Sequence, residues 1–251
     1  MLAVTTRNVL RHPYLCLPML YARLLVARQL ARTPGLIRYA GGVVGPREFL
    51  TLTVWEDKGY MQAFAGSGAH RRVMWFFARW SESFWSLRWD PTPDERGLWA
   101  GLSLAGARPE GRPESPLVRL GLIRPDPPPR SPLALEPRGA AMFGALGRAE
   151  GPGVLVQALA ARGRLAAEAR RNPALVRWAV GLDWPPQLLV ITLWQDLPGV
   201  RREALRLLGE EVGASWAMCW LPGDYEVGHW AGLRLRQAAR LSRRQPAPSR
   251  P

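Results

Sequence analysis

The sequence predicts an α+β fold: a ferredoxin-like βαββαβ unit, duplicated in tandem to form a pseudo-dimeric α+β barrel. Two internal matches and one shared order of elements carry this reading. Residues 32–57 and 171–196 align without a gap at an offset of 139, with 11 of 26 positions identical, among them Pro34/Pro173, Arg38/Arg177, Gly42/Gly181, Trp55/Trp194 and Asp57/Asp196. Residues 85–102 align with 216–233 at an offset of 131, with nine of 18 identical, including Trp85/Trp216, Trp89/Trp220, Glu95/Glu226 and both copies of Trp-Ala-Gly-Leu. Chance at average composition would give about one or two identities per window. A chain of 251 residues has room for two units of roughly 100–150 residues each.

In the first copy, residues 2–10 read as a strand that ends before His12-Pro13. Leu17, Leu20, Leu24 and Ala27 recur at three- and four-residue steps, which predicts a helix over 14–32, stopped by Pro34-Gly35. Leu36–Val44 and Glu48–Trp55 form a hairpin about Gly45-Pro46. Alternation in the second of these strands places Leu50, Leu52 and Val54 on one face and Thr51, Thr53 and Trp55 on the other. A second helix spans about 59–80 and breaks at Gly66-Ser67-Gly68, where Ser67 can cap a fresh turn. Ser86–Trp89 closes the unit. In the second copy the elements fall near 140–148, 153–171, 174–182, 187–194, 198–212 and 216–220. The expected organisation is a first repeat at 1–107, a Pro-rich linker at 108–138, a second, degenerate repeat at 139–238 and a basic tail at 239–251. The linker reading rests on nine of the 24 prolines falling within 108–137; Leu117–Ile123 inside it has the pattern of an edge strand. The two sheets are expected to meet face to face, with the Thr/Trp faces of 48–55 and 187–194 turned into the interface and the helices outside.

Composition narrows the function. The hydrophobic fraction of 47% with 22% charged residues is that of a globular chain. Two cysteines, Cys16 and Cys219, exclude a disulfide scaffold, and no Cys/His cluster suggests structural zinc. No apolar stretch approaches the 18–20 residues of a membrane span, and the N-terminus lacks the pattern of a signal peptide; the reading is cytoplasmic. The net charge of +14 rests on 33 arginines and the single lysine, Lys58. Six of those arginines lie in the last 18 residues, which hold no acid; the other 233 residues carry +8. No recognition motif accompanies the charge, so nucleic acid is an unlikely partner. Such a tail suits peripheral contact with membrane phosphates.

No G-x-G-x-x-G, P-loop, H-E-x-x-H or G-x-S-x-G motif is present. Of three histidines, His12 sits at the strand-to-helix turn and His229 beside Trp230, and both read as surface or edge residues. His70 opens the second half of the broken helix, with Met74 and Phe77 on its face and Phe64 in the preceding segment. An imidazole among thioether and aromatic neighbours reads either as the edge of a haem pocket or as a helix-start histidine packed on the sheet. The repeat singles out this region: 27 residues separate Asp57 from Trp85, but only 19 separate Asp196 from Trp216. The second copy has lost eight residues from the stretch that holds His70. Glu56-Asp57 and Asp196 follow strand ends and read as helix caps. The twelve tryptophans read mainly as core, and a wide aromatic surface would also suit a flat or polyene ligand.

Phe49-Leu-Thr-Leu-Thr-Val-Trp-Glu-Asp57, Met61-Gln-Ala-Phe64, Ser67-Gly-Ala-His70 and Trp80 resemble the antibiotic-biosynthesis-monooxygenase-like proteins of the dimeric α+β barrel superfamily. Within it, Thr33-Pro34-Gly35, Trp55-Glu56-Asp57, Gly68-Ala69-His70 and Trp230-Ala231-Gly232 are similar to motifs of the spheroidene-monooxygenase-like carotenoid oxygenases. That group carries its Gly-x-His helix in the second half, whereas this chain carries it in the first. The resemblance implies a monooxygenase acting on a hydrophobic substrate, carotenoid-like or polycyclic. It implies haem with His70 as the iron ligand, and Phe64, Met74, Phe77 and Trp55 around the substrate. A cofactor-free oxygenase, or a non-catalytic protein that binds haem or a small apolar ligand, is the alternative on the same fold.

Overall fold

The computed structural model describes residues 1–105, 142–151, 153–183 and 186–235. The linker, the Leu117–Ile123 strand and the basic tail lie outside the described residues, as does Trp184. The first repeat runs β1 (Leu2–Leu10), α1 (Cys16–Leu30), β2 (Leu36–Gly45), β3 (Glu48–Trp55), α2 (Lys58–Ala65), α3 (Gly68–Trp80) and β4 (Ser81–Gly97). The second runs β5 (Met142–Glu150), α4 (Val154–Arg171), β6 (Leu175–Asp183), β7 (Gln187–Gln195), α5 (Val200–Arg206), which continues into a π-helical turn at Leu207–Glu211, and β8 (Trp216–Gly228). The order of elements is the βαββαβ pattern twice.

The two sheets do not stack as separate layers. They join edge to edge into one closed barrel in the order β1-β3-β2-β6-β7-β5-β8-β4, which leaves no free sheet edge. The closing strands are therefore much longer than 86–89 and 216–220: β4 and β8 extend beyond their pairing with β1 and β5 and pair with each other from Trp85↔Gly228 to Gly97↔Trp216. At the other junction, β2 and β6 cross so closely that a Cβ on Gly42 would come within 2.7 Å of the Gly181 backbone, and the reverse approach is 2.9 Å. Glycine at both repeat-related positions is a requirement of this crossing.

Closure also decides which strand face is inside, and it reverses the expectation. Leu50, Leu52 and Val54 of β3, with Leu189, Ile191 and Leu193 of β7, line the barrel interior. Trp55 packs instead on Leu30 and Phe64 of the helical layer, and Trp194 packs on the helices of the second repeat. A barrel interior is dry, so aliphatic side chains fill it and the threonine hydroxyls are left on the helix side. The remaining interior volume is taken by Trp85, Trp89 and Trp99 with their counterparts Trp216, Trp220 and Trp230, all buried in one cluster.

A pseudo-twofold relation governs their polar edges. Trp216 Nε1 donates to Glu95 Oε1 at 2.7 Å, and Trp85 Nε1 donates to Glu226 Oε1 at 3.0 Å. Arg7 lies over the Trp230 ring at 5.4 Å, and Arg148 over the Trp99 ring at 5.5 Å. Each repeat thus binds tryptophans of the other.

Local capping follows the sequence in part. Asp57 caps α2 by accepting from Tyr60 N at 3.0 Å. Asp196 is not a cap; it pairs with Arg201 at 2.5 Å, and Gly199 stands at the start of α5. Cys219 is buried and Cys16 half-buried. Burial, with lesser help from the charge of Asp94, pushes the Cys219 thiol up to about 12. Iodoacetamide at pH 8 is expected to modify Cys16 alone in the native protein, and both thiols in urea, as read by mass spectrometry of the peptides; modification of native Cys219 at the rate of Cys16 would contradict this burial.

Candidate functional site

The two helical layers differ. In the second repeat α5 and its π turn sit directly on the sheet. Ala204, Leu207, Leu208 and Val212 pack against Ala145, Ala149, Ala217 and Cys219, all of them buried. Small strand residues allow this approach: a Cβ on Gly147 would touch Leu208 at 3.4 Å. In the first repeat the corresponding strand positions hold Thr6, Asn8, Ser86 and Arg88, and the helix is broken in two. A cavity of about 540 Å³ remains between the sheet and α1, α2 and α3, within the range of small-molecule sites.

The break that creates it has a definite cause. Gly68 takes φ +55, and a Cβ there would fall 2.8 Å from the Gln29 side chain of α1. Gln29 Oε1 accepts from His70 N at 2.8 Å, while its amide donates to Ser67 O at 3.2 Å. Ser67 occupies the cap position without a capping bond; its hydroxyl donates to Phe64 O at 3.3 Å. The cap of α3 is therefore supplied from another helix.

All five residues singled out by the sequence, Trp55, Phe64, His70, Met74 and Phe77, line this cavity. The His70 ring lies 4.7 Å from the Phe64 ring, and Phe64 lies 5.3 Å from Trp55. His70 Nδ1 is 3.0 Å from the Ala65 carbonyl. A carbonyl can only accept, so Nδ1 carries the proton and the lone pair of the neutral ring resides on Nε2. Burial lowers the His70 pKa below its usual 6.5, although the bond to Ala65 opposes the shift. The ring is neutral at pH 7, the state in which imidazole binds a metal or accepts a proton.

The sign of that shift gives a prediction. Between the lowered folded value and the unfolded value near 6.5, the unfolded chain binds more protons. The contribution of His70 to stability is complete above about pH 6.5 and declines as the pH falls towards the folded value. His70→Gln is expected to flatten this part of the profile in urea unfolding at pH 7.5 and 5.5. An unchanged profile would assign the acid sensitivity to other groups.

Sequence reasoning missed Asn8 and the cations. Asn8 is buried on β1, paired with Phe49 and Phe84 on the neighbouring strands. Neither its Oδ1 nor its Nδ2 has a hydrogen-bond partner, and Trp55 Nε1 is buried in the same condition. Both residues line the cavity. Unpartnered buried polar atoms are costly and uncommon, and Asn8 and Trp55 bring theirs to residues of the cavity wall. Arg23, Lys58 and Arg88 also reach the lining. Arg23 pairs with Asp183 of β6, and Arg88 with Asp224 of β8. The strand registers match Thr6, Asn8 and Ser86 of the first copy with Gly147, Ala149 and Ala217 of the second; the sequence identities at 32–57 and 85–102 do not reach β1, so nothing in the sequence marked Asn8. Among the described residues no group of three or more His, Cys, Asp or Glu side chains could hold a bare metal ion.

No family model and no curated protein matches the chain. Solved structures do. The chain is similar to a crystal structure of an antibiotic biosynthesis monooxygenase at 16% identity and a TM-score of 0.35, over 37% of this chain and all of that one. It is similar to a candidate monooxygenase from Lactobacillus acidophilus NCFM at 7% identity and a TM-score of 0.35, over 90% of this chain and 96% of that one. SnoaB, a cofactor-independent oxygenase from Streptomyces nogalater, aligns at 17% identity and a TM-score of 0.27, over 35% of this chain and 86% of that one.

Proposed function

We propose that the first-repeat cavity is the active site of a monooxygenase acting on a hydrophobic, polycyclic or carotenoid-like substrate. The observation that carries this reading is the asymmetry of the duplication. In one repeat the helix packs directly on its sheet, while in the other the same scaffold keeps a largely apolar chamber lined by Asn8 and Trp55, whose side-chain polar atoms are buried without partners. Solid packing is the more stable arrangement, so retention of the chamber points to use. The sequence motifs around Trp55 and His70 supply the link to oxygen chemistry. Phe64, Met74 and Phe77 would hold the apolar body of the substrate, and Asn8 would orient its oxygen function.

The donor set fits haem at one point, since His70 offers Nε2 from a fixed ring orientation. Haem held there would supply an iron at which oxygen is activated. Phe64 and the other apolar side chains would exclude water from it. Insertion of one oxygen atom into a C–H bond with reduction of the other to water takes two electrons and two protons, from a reductant and solvent in the haem case; without haem an electron-rich substrate itself gives up two hydrogens and leaves as the carbonyl compound with one water. A second reading, a ligand-binding protein without turnover, is favoured by one feature: the only carboxylate among the described lining residues, Asp224, is paired with Arg88.

Absorption spectra of the purified protein during hemin titration, beside His70→Ala, separate these readings. A stoichiometric Soret band that His70→Ala abolishes supports the haem enzyme. Oxygen uptake by the colourless protein with an electron-rich polycyclic phenol supports the cofactor-free one. Ligand uptake without oxygen consumption in either assay rejects the oxygenase and leaves the binding protein.

A further inference from the structure

The outer surface of the first helical layer has a composition that the cavity does not explain. Tyr14, Leu17, Tyr21 and Leu24 follow one another at steps of three and four residues along a single line, continued by Arg28. All are exposed, Leu17 to 75% and Tyr14 to 70%. The neighbouring α3 packs beside α1 and presents Trp75, 71% exposed, between Arg71, Arg72 and Arg79, which are also exposed. Isolated surface leucines are ordinary, but an aligned series flanked by an exposed tryptophan is not. The charge is as one-sided as the apolar line. No Asp or Glu occurs from residue 1 to 47 or from 58 to 81, so this helical layer carries cations alone. In the second repeat the helical layer also holds acids that pair with its arginines, as in Arg206 with Glu203 and Glu211 and Arg171 with Glu168.

We propose that the α1/α3 face is a docking surface for an anionic lipid bilayer. A line of exposed leucine and tyrosine, a tryptophan whose ring suits the headgroup boundary, and arginines able to neutralise lipid phosphate are the elements of interfacial binding. The aliphatic line distinguishes this surface from a nucleic-acid site, which needs cations and stacking rings but gains nothing from Leu17 or Leu24. Charge decides against a second copy as the occupant, because two such faces brought together would oppose arginine to arginine. The face lies over the cavity, which α1 and α3 roof, yet the inference stands without the oxygenase reading.

The test is co-sedimentation of the full chain with vesicles of phosphatidylcholine alone or with 30% (roughly, for a clear charge contrast) phosphatidylglycerol. Binding is expected only to the anionic vesicles, falling several-fold when salt is raised. Leu17→Ser with Leu24→Ser should lower the partition coefficient at least about tenfold, with unchanged thermal unfolding and hemin titration. Because the basic tail could also bind phosphate, Arg240, Arg243, Arg244 and Arg250 are replaced by Gln in a parallel full-length variant, which is expected to keep most of the binding. Failure of the unaltered chain to sediment with anionic vesicles overturns the proposal. So does loss of binding in the tail variant alone, equal binding to duplex DNA by the leucine variant, or a dimer in sedimentation velocity that Leu17→Ser and Leu24→Ser dissociate.

Discussion

Asn8→Leu is expected to make the protein more stable and to cost it its ligand. The side chain is 3% exposed between strands that place Phe49 and Phe84 beside it, and both of its polar atoms lack partners. Leaving a buried donor and acceptor unpaired costs about 1–3 kcal/mol, while an apolar group of similar shape avoids that cost. Urea unfolding of the ligand-free variant should therefore show a gain of about 1–3 kcal/mol at unchanged slope. Its affinity for an oxygen-bearing aromatic ligand should fall at least about tenfold, the equivalent of one hydrogen bond of about 1.4 kcal/mol. The opposite outcome, a destabilised variant that binds as before, would make Asn8 a structural residue and remove it from the site.

Glu95→Ala is expected to have the largest effect on stability. Its carboxylate accepts from Trp216 Nε1 at 2.7 Å, from Ser103 Oγ at 2.5 Å, and from the backbone N–H of Leu104 and Ala105, both at 2.8 Å. Alanine would strand several of these donors, including an indole in the barrel interior, at a cost of about 3–5 kcal/mol. Glu95→Gln, which keeps one acceptor oxygen, should lose less. Thermal unfolding measures both. Because Glu95 and Trp216 belong to different repeats, the loss should appear as a single cooperative transition at lower temperature. Separate transitions would mean that the repeats unfold independently and that this bond does not join them.

Much of the site was legible because it is locally encoded. The glycine pair around Ser67 breaks the helix, and helical spacing puts Met74 and Phe77 on the face of His70 whatever surrounds them. The eight-residue loss in the second copy marked the same stretch. Two things were not legible. One was which face of β3 is interior: alternation separates Leu50, Leu52 and Val54 from Thr51, Thr53 and Trp55 without saying which set meets helices. The other was Asn8, an ordinary strand residue until Phe49 and Phe84 are known to flank it across two non-local pairings.

The sequence by itself determined the duplication, the order of elements in each copy and the position of the helix break, because identities at constant offset, short-range periodicity and glycine act within a few residues of one another. The tertiary structure alone decided that the sheets close edge to edge. With that it decided that aliphatic strand faces and six tryptophans fill the interior, and that the first helical layer leaves a cavity over its sheet where the helix of the second packs directly on the strands. These outcomes depend on close approach between distant segments, Gly42 against Gly181 and Leu208 against Gly147. Such contacts are set by the packing of whole layers, and no pattern within one strand or helix records them.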